Sequence, residues 1–386
     1  RVCILDNGSV VAKTGEAIQA MAVARQTDTA IAFVVNYESA WRPAFARWSL
    51  EQQWDCVILD ESHKAKAHNS AVSKYCAKLG KRAARRLCLT GTPLANSPLD
   101  LFGQFRFLEP AIFGTSWHHF SNRYAIKGNP YIPQAITGYR NEDELHNKMS
   151  LLTYQCKAED VLNLPEKQYI EIPCEMGERG TKIYKQLEEE MIAELTGGVI
   201  TVQNALVKLL RLQQCSSGFL SPDNSDQPEE IDTAKADALT DLVDGLDTRE
   251  PVVVFCRFRH DLAAVQRICK SLGRRYGELS GSRRDGLTDR AEMNPDIDVL
   301  GAQIASGGVG IDLVRARYAV YYSVGFSLCD FEQSQARLHR PGQTKHVTYY
   351  LLVCPATVDV RVFRALAKRK EVVEAVLKGY ESNGDE

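Results

Sequence analysis

Long apolar runs are missing from this chain: no stretch of its 386 residues reaches the length needed to cross a bilayer, and no secretory signal opens it. No membrane partner is therefore expected. The eleven cysteines include no Cys-x-x-Cys pair and none of the ligand spacings of a zinc site, which excludes a metal-stapled fold. Most of them stand in apolar strands or helices, Cys56, Cys88, Cys256 and Cys269 among them, and read as buried, reduced thiols of a cytosolic protein. His63 and His68 do not form a His-Glu-x-x-His pattern, and no internal repeat is visible. Excess charge of one sign is lacking too. The formal net charge of −2 argues against a blanket polyanion binder but leaves room for Lys and Arg clustered on one face. The chain opens on Arg1 rather than Met and runs at once into Val2-Cys3-Ile4-Leu5, which reads as a fragment or a processed product.

What is present is ordinary for a globular protein: 44% hydrophobic and 25% charged residues, in a chain long enough for two or three domains. Apolar runs at Val2–Leu5, Ala30–Val35, Cys56–Leu59 and Arg86–Leu89 read as strands, with helical patterns at 16–25, 70–79 and 99–108. That alternation implies a parallel sheet with helices on both faces. From Phe113 to about Leu164 the pattern weakens and suggests an insertion or connecting segment. Two helical patterns at 181–195 and 202–214 precede a polar, acidic, turn-rich stretch at 221–230 that reads as an exposed loop. The α/β alternation then resumes, with strands at 252–256, 298–302, 318–323 and 347–353 and helices at 261–272, 331–338 and 358–377. The expected organisation is a partial first lobe over 1–164, a helical linker over 165–234 and a second lobe over 235–386.

Chemistry concentrates at the strand ends. Asp60-Glu61-Ser62-His63 follows the run Cys56-Val57-Ile58-Leu59, which reads as a buried parallel strand. Its C-terminal end is where an open α/β sheet places ligand-contacting residues. Two adjacent carboxylates there suit nucleotide hydrolysis, one holding Mg²⁺ and the other orienting or deprotonating the attacking water. Thr90-Gly91-Thr92-Pro93 follows Leu87-Cys88-Leu89 and offers hydroxyls to relay nucleotide state to that pair, although a plain strand-to-helix turn with a Thr cap accounts equally well for the tetrad in isolation. Ser306 to Leu313 is a Gly-rich turn that permits close approach to a phosphate, although structural use is the favoured reading of such a turn standing alone. Arg337 and Arg340 lie in Gln333-Ser334-Gln335-Ala336-Arg337-Leu338-His339-Arg340-Pro341-Gly342-Gln343; if this stretch begins as a helix they share one face and suit arginine fingers. Other candidates read as structural: His118 and His119 as surface histidines, Trp41 and Trp48 as one packing face, and Lys13-Thr14 as an ordinary helix start.

In this order, the set resembles helicase superfamily two and, within it, the Snf-type (Swi/Snf) double-stranded-DNA translocases, in particular small phage or bacterial members. Asp60 to His63 resembles motif II (the DEAD/DEAH box), Leu89 to Pro93 motif III, Val253 to Arg257 motif IV, Ser306 to Leu313 motif V and Gln333 to Gln343 motif VI. Asn36-Tyr37-Glu38 and Leu210 to Gly218 resemble further family segments. The resemblance implies two RecA-like parallel-sheet lobes with a helical insertion and nucleotide between them, with the first lobe incomplete. It implies ATP and Mg²⁺ as cofactors, with Asp60 and Glu61 at the metal. Catalytic roles fall on Asp60, Glu61, His63, Arg337 and Arg340, coupling on Thr90, Gly91 and Thr92, and nucleotide contacts on Gly310, Asp312 and Gln333. Asn36, Tyr37, Arg257 and Ser306 are expected at the DNA, touching phosphates because a motor must move over any sequence. A cytoplasmic location, in a bacterium or a phage-infected host, goes with this resemblance.

The family's phosphate-cradling Gly-x-x-x-x-Gly-Lys-Thr loop is absent from these residues. Before Lys13-Thr14 the required glycines are Asn7 and Ala12. The expectation is that the loop lies before Arg1 and that the given chain is inactive alone. A strand-separating DNA or RNA helicase and a non-catalytic pseudo-ATPase clamp are the alternatives.

Overall fold

The computed structural model describes residues 1–94, 97–128, 136–156, 161–196, 202–221, 228–304 and 310–378, with the backbone alone at 192–196, 202–206 and 372–378. The chain divides into two compact units, Arg1–Tyr154 with Glu371–Glu386, and Gln155–Lys370. Among the described residues no helix is long and apolar enough to cross a membrane.

In the first unit, β1 (Val2–Leu5) pairs in parallel with β2 (Ala32–Val35), and β3 (Trp54–Asp60) with β4 (Ala83–Leu89). The helix Val10–Gln26 starts where Ser9 accepts the Ala12 N–H at 3.2 Å, a hydroxyl satisfying an otherwise unpaired first-turn donor. Lys13 and Thr14 are buried in that helix, Lys13 Nζ donating to Ser39 Oγ at 3.3 Å and Thr14 Oγ1 to the Val10 carbonyl at 2.7 Å. Trp48 packs in the same apolar core as Leu5, Phe45 and Leu59, with Trp41 against it, so the two tryptophans do form one packing region. A second core joins the helices Leu101–Leu108, Trp117–Tyr124 and Glu142–Ser150 to the hairpin of β5 (Ala125–Lys127) and β6 (Ile136–Tyr139).

The strands of the first unit are apolar on both sides but covered on one. Cys3, Leu5 and Leu59 point into the core, whereas Val2, Ile4, Val34, Ile58, Leu87 and Leu89 remain 48–64% exposed. Cys56 is exposed on the same side as Ile58. The run 56–59, expected as a buried strand, is therefore half covered, because alternate residues point to a sheet face that none of the described residues packs on. Most other cysteines are buried as expected, and all eleven are free thiols.

The second unit is built on one six-stranded parallel sheet in the order β11-β12-β10-β13-β14-β7. Its strands are β7 (Lys167–Pro173), β10 (Val252–Cys256), β11 (Tyr276–Leu279), β12 (Val299–Gln303), β13 (Tyr318–Tyr321) and β14 (Val347–Val353). Two short strands, β8 (Phe219–Leu220) and β9 (Glu229–Glu230), form a separate antiparallel pair. Every residue of β10 is buried, as a Val-Val-Val-Phe-Cys run at the centre of a sheet requires. Chain order reverses at β10: β11 and β12 lie to one side, β13 and β14 to the other. This is the topological switch point of the sheet, and the carboxyl ends of β10, β12 and β13 beside it are the position where such sheets bind ligands. The strand β7 falls in the stretch expected as a helical linker. It lies at the edge of the described sheet, with exposure alternating over Ile170–Pro173, and it pairs with β14 along its length. Residues 222–227 of the expected acidic loop, and the acidic tail 381–386, lie outside the described residues.

Candidate active site

The carboxylate pair stands where β3 ends. Asp60 is the last residue of that strand, and Glu61 turns the chain into the short helical turn Ser62–Ala65. Glu61 adopts the left-handed conformation, φ 47° and ψ 51°. A non-glycine residue held there costs on the order of 1–3 kcal/mol, and such residues cluster at functional sites. The strain is held by specific bonds. The Glu61 N–H donates to Asp60 Oδ1 at 3.0 Å, and the Asp60 carbonyl accepts the Tyr37 hydroxyl at 2.7 Å.

From Glu61 a polar chain runs to the end of the neighbouring strand. His63 Nδ1 lies 3.2 Å from Glu61 Oε2 and 3.3 Å from Thr90 Oγ1, and Thr90 Oγ1 accepts the Thr92 N–H at 3.1 Å. The structure thus brings Asp60, Glu61, His63, Thr90 and Thr92 into one set, with Gly91 in the same turn. The pairing of Asp60 with Leu89 in register sets this up, since it places the residues after β3 and β4 side by side.

Sequence reasoning missed the bracing beneath. Ser62, fully buried, donates to Gln104 Oε1 at 2.7 Å, and Gln104 Nε2 donates to the Pro93 carbonyl at 2.6 Å and the Asp100 carbonyl at 3.1 Å. One buried amide therefore ties the turn after β3 to the turn after β4. Gly103 lets the helix Leu101–Leu108 lie directly on the first turn: a Cβ there would stand 2.2 Å from the Ala65 carbonyl oxygen. The polar identity of Gln104 within Leu-Phe-Gly-Gln-Phe was the one available signal.

In the second unit the helix Leu328–Gln335 is capped by Ser327 and stops before the paired arginines. Arg337 and Arg340 lie in the turns that follow, ahead of Pro341 and Gly342, whose φ of 102° the helix cannot accommodate. They do not share a helix face. Arg340 donates to the Ile311 carbonyl at 3.2 Å and approaches Asp312 at 3.9 Å, so two of the expected nucleotide-site segments meet. Gly310 is exposed with φ 77°, and Gln333 is half-buried on the helix. Gln343 is buried and donates to the carbonyls of Val314, Ala316 and Leu338, fixing the turn that carries both arginines. His339 Nε2 lies 2.7 Å from the Pro165 carbonyl.

Of the residues expected at DNA, Arg257 follows β10 at the sheet's switch point. Its backbone N–H donates to Ser323 Oγ at 2.7 Å, and its guanidinium is braced by buried Gln213, which also donates to the Val324 carbonyl at 3.0 Å. Burial pulls the Arg257 pKa down, partly offset by the nearby Asp261 carboxylate. Asn36 caps the helix Tyr37–Ala40 by accepting the Ser39 N–H at 3.1 Å. Ser306 lies outside the described residues. Among the described residues no group of three or more His, Cys, Asp or Glu side chains is placed to hold a metal ion, so any cation at Asp60 and Glu61 would draw its remaining ligands from elsewhere.

Comparison with known proteins divides the chain further along than the two compact units do, since the first family match extends past the unit boundary at Tyr154. Residues 9–218 match the SNF2-related domain, and residues 234–342 match the helicase conserved C-terminal domain. The DNA annealing helicase and endonuclease ZRANB3 of Homo sapiens is 26% identical over 344 residues, covering 85% of this chain and 30% of that protein. An uncharacterized ATP-dependent helicase of Mycoplasma genitalium is 25% identical over 337 residues, covering 86% of this chain and 31% of that protein. The chain thus spans under a third of the length of these curated relatives. The Sulfolobus solfataricus SWI2/SNF2 ATPase core in complex with dsDNA is 20% identical with a TM-score of 0.43, covering all of this chain and 77% of that one. With the SNF2-related match alone taking in more than half of its residues, this chain belongs to the SNF2-related domain family of helicase-like ATPases.

Proposed function

We propose that this chain is part of an ATP-dependent translocase on double-stranded DNA, of the small Snf type found in phages and bacteria. The observation that carries the reading is the hydrogen-bonded set at the ends of β3 and β4, a strained Glu61 joined through His63 to Thr90 and Thr92. Asp60 and Glu61 suit Mg²⁺, a hard cation commonly held by one or two carboxylates with substrate phosphates and water completing its shell. When bound it would neutralise charge on the β- and γ-phosphates. Glu61 orients and deprotonates the attacking water, and His63 with Thr90 and Thr92 relays nucleotide state. Arg337 and Arg340 stabilise charge on the transferring phosphoryl group. Gly310, Asp312 and Gln333 contact the nucleotide, and Asn36, Arg257 and Ser306 contact the phosphates of the track.

The phosphate-cradling loop is assigned to an upstream segment of the complete protein. Two observations support this: no Gly-x-x-x-x-Gly-Lys-Thr stands in residues 1–386, and the β1–β2 and β3–β4 pairs leave Val2, Ile4, Val34, Ile58, Leu87 and Leu89 exposed for a further layer to cover. Residues 1–386 alone should therefore show no duplex-stimulated phosphate release, and the protein extended by an upstream Gly-Lys-Thr segment should show it. Robust stimulated turnover by residues 1–386 would remove the missing-loop assignment. No turnover by the extended protein would remove the ATPase reading and favour a non-catalytic clamp.

A further inference from the structure

Tyr37 was expected at the track, yet its hydroxyl is committed elsewhere. It donates to the backbone carbonyl of Asp60 at 2.7 Å, across 23 residues of sequence. That carbonyl belongs to the peptide unit whose other end is the Glu61 N–H, and the N–H is itself held by Asp60 Oδ1 at 3.0 Å. Both ends of one peptide plane are thus clamped, and this is the plane whose orientation sets the left-handed φ of Glu61. The Asp60 carboxylate supplies one clamp from within the turn. Tyr37 supplies the other from a separate element.

That element is itself fixed. Asn36 caps the helix Tyr37–Ala40, and buried Lys13 donates to Ser39 in the same turn. The phenol ring packs against the first unit's core, with the Lys64 ammonium 5.9 Å from its centroid. An ordinary phenol, with a pKa of about 10, is a neutral donor at physiological pH. A neutral donor of this kind restrains the Asp60 carbonyl without adding charge beside the two carboxylates.

We propose that Tyr37 is a positioning residue for hydrolysis, a strut that holds the Asp60–Glu61 peptide so that the Glu61 carboxylate faces the attacking water. It links the Asn36-Tyr37-Glu38 segment to the catalytic turn mechanically. The inference rests on the ATPase reading above, but its structural half is measurable without turnover.

Tyr37→Phe keeps the ring and its packing and deletes only the donor. In the complete protein without nucleotide, hydrogen exchange at the Glu61 and Ser62 amides should quicken about tenfold as the turn loosens. In steady-state assays kcat with saturating duplex should fall about tenfold, since misplacing a catalytic group costs rate rather than binding. KM for ATP and the slope of log DNA affinity against log salt should not change. Unchanged exchange and an unchanged kcat would overturn the proposal. A slope flattened by about 0.9, the signature of one lost phosphate contact, would also overturn it and make Tyr37 a track residue. Quickened exchange in Tyr37→Phe, with a wild-type protein that itself never hydrolyses ATP, would leave the strut standing and sink the ATPase reading instead.

Discussion

Glu61→Gln in the complete protein is expected to abolish ATP turnover while leaving nucleotide binding largely intact. The amide nearly keeps the shape of the carboxylate and can keep the 3.2 Å contact that Glu61 makes with His63 Nδ1. What it cannot do is take the proton of the attacking water. The loss should therefore fall on kcat and not on ATP affinity, as for an interaction made only in the transition state. Asp60→Asn should behave differently and weaken Mg²⁺-dependent binding itself, because a neutral amide is a poor ligand for a hard dication. Single-turnover phosphate release and nucleotide titration on the same preparations separate the two. A Glu61→Gln protein retaining more than a tenth of the rate, a barrier change under about 1.4 kcal/mol, would show that another group activates the water.

Arg337→Ala and Arg340→Ala should each cut turnover by roughly 10³–10⁵, about 4–7 kcal/mol of transition-state stabilisation, with smaller effects on DNA affinity. Their placement in turns rather than on a helix sharpens the expectation. Gln343 anchors the turn by three carbonyl contacts that do not involve either guanidinium, so truncation leaves the backbone brace in place. Arg340 also holds the Ile311 carbonyl at 3.2 Å, so its loss should additionally loosen the segment around Asp312. On the proposed role, Arg340→Lys should not rescue, because a single ammonium cannot reproduce a planar fork that would serve the Ile311 carbonyl and a phosphate together. If the two arginines merely decorate the surface, each alanine would cost within about 0.5 kcal/mol and turnover would stay at the wild-type rate.

Much of this was legible from local pattern. The run Val-Val-Val-Phe-Cys announces a central strand, and Asp60-Glu61-Ser62-His63 after an apolar run announces a strand-end site, because burial and strand termination are properties of a few adjacent residues. The helices at 71–80, 101–108 and 259–271 were readable from their helical pattern to within a few residues of their ends. What was not legible depends on partners distant in sequence. The clamp of Ser62 by Gln104, the strut from Tyr37 to Asp60 and the hold of Gln213 on Arg257 each join residues 23 to 44 apart, and no spacing rule encodes them. The left-handed Glu61 gave no compositional sign, since glycine or asparagine is the usual occupant of that conformation. Strand β7 was hidden because an edge strand with one polar side resembles a connecting segment. The half-covered sheet of the first unit shows the reverse failure: an apolar run indicates that burial is favourable, not which residues supply it.

Triplex displacement by the complete protein tests the central claim most directly. A translocase that grips the phosphates of an intact duplex should strip a triplex-forming third strand in an ATP-dependent reaction, without separating the two strands beneath. Its turnover should be stimulated more by double-stranded than by single-stranded DNA, and nearly independently of sequence. A forked duplex run beside the triplex with the same preparation supplies the comparison. Third-strand release with an intact fork is the result predicted here; efficient fork unwinding with no triplex displacement, or stimulation by RNA alone, would contradict it.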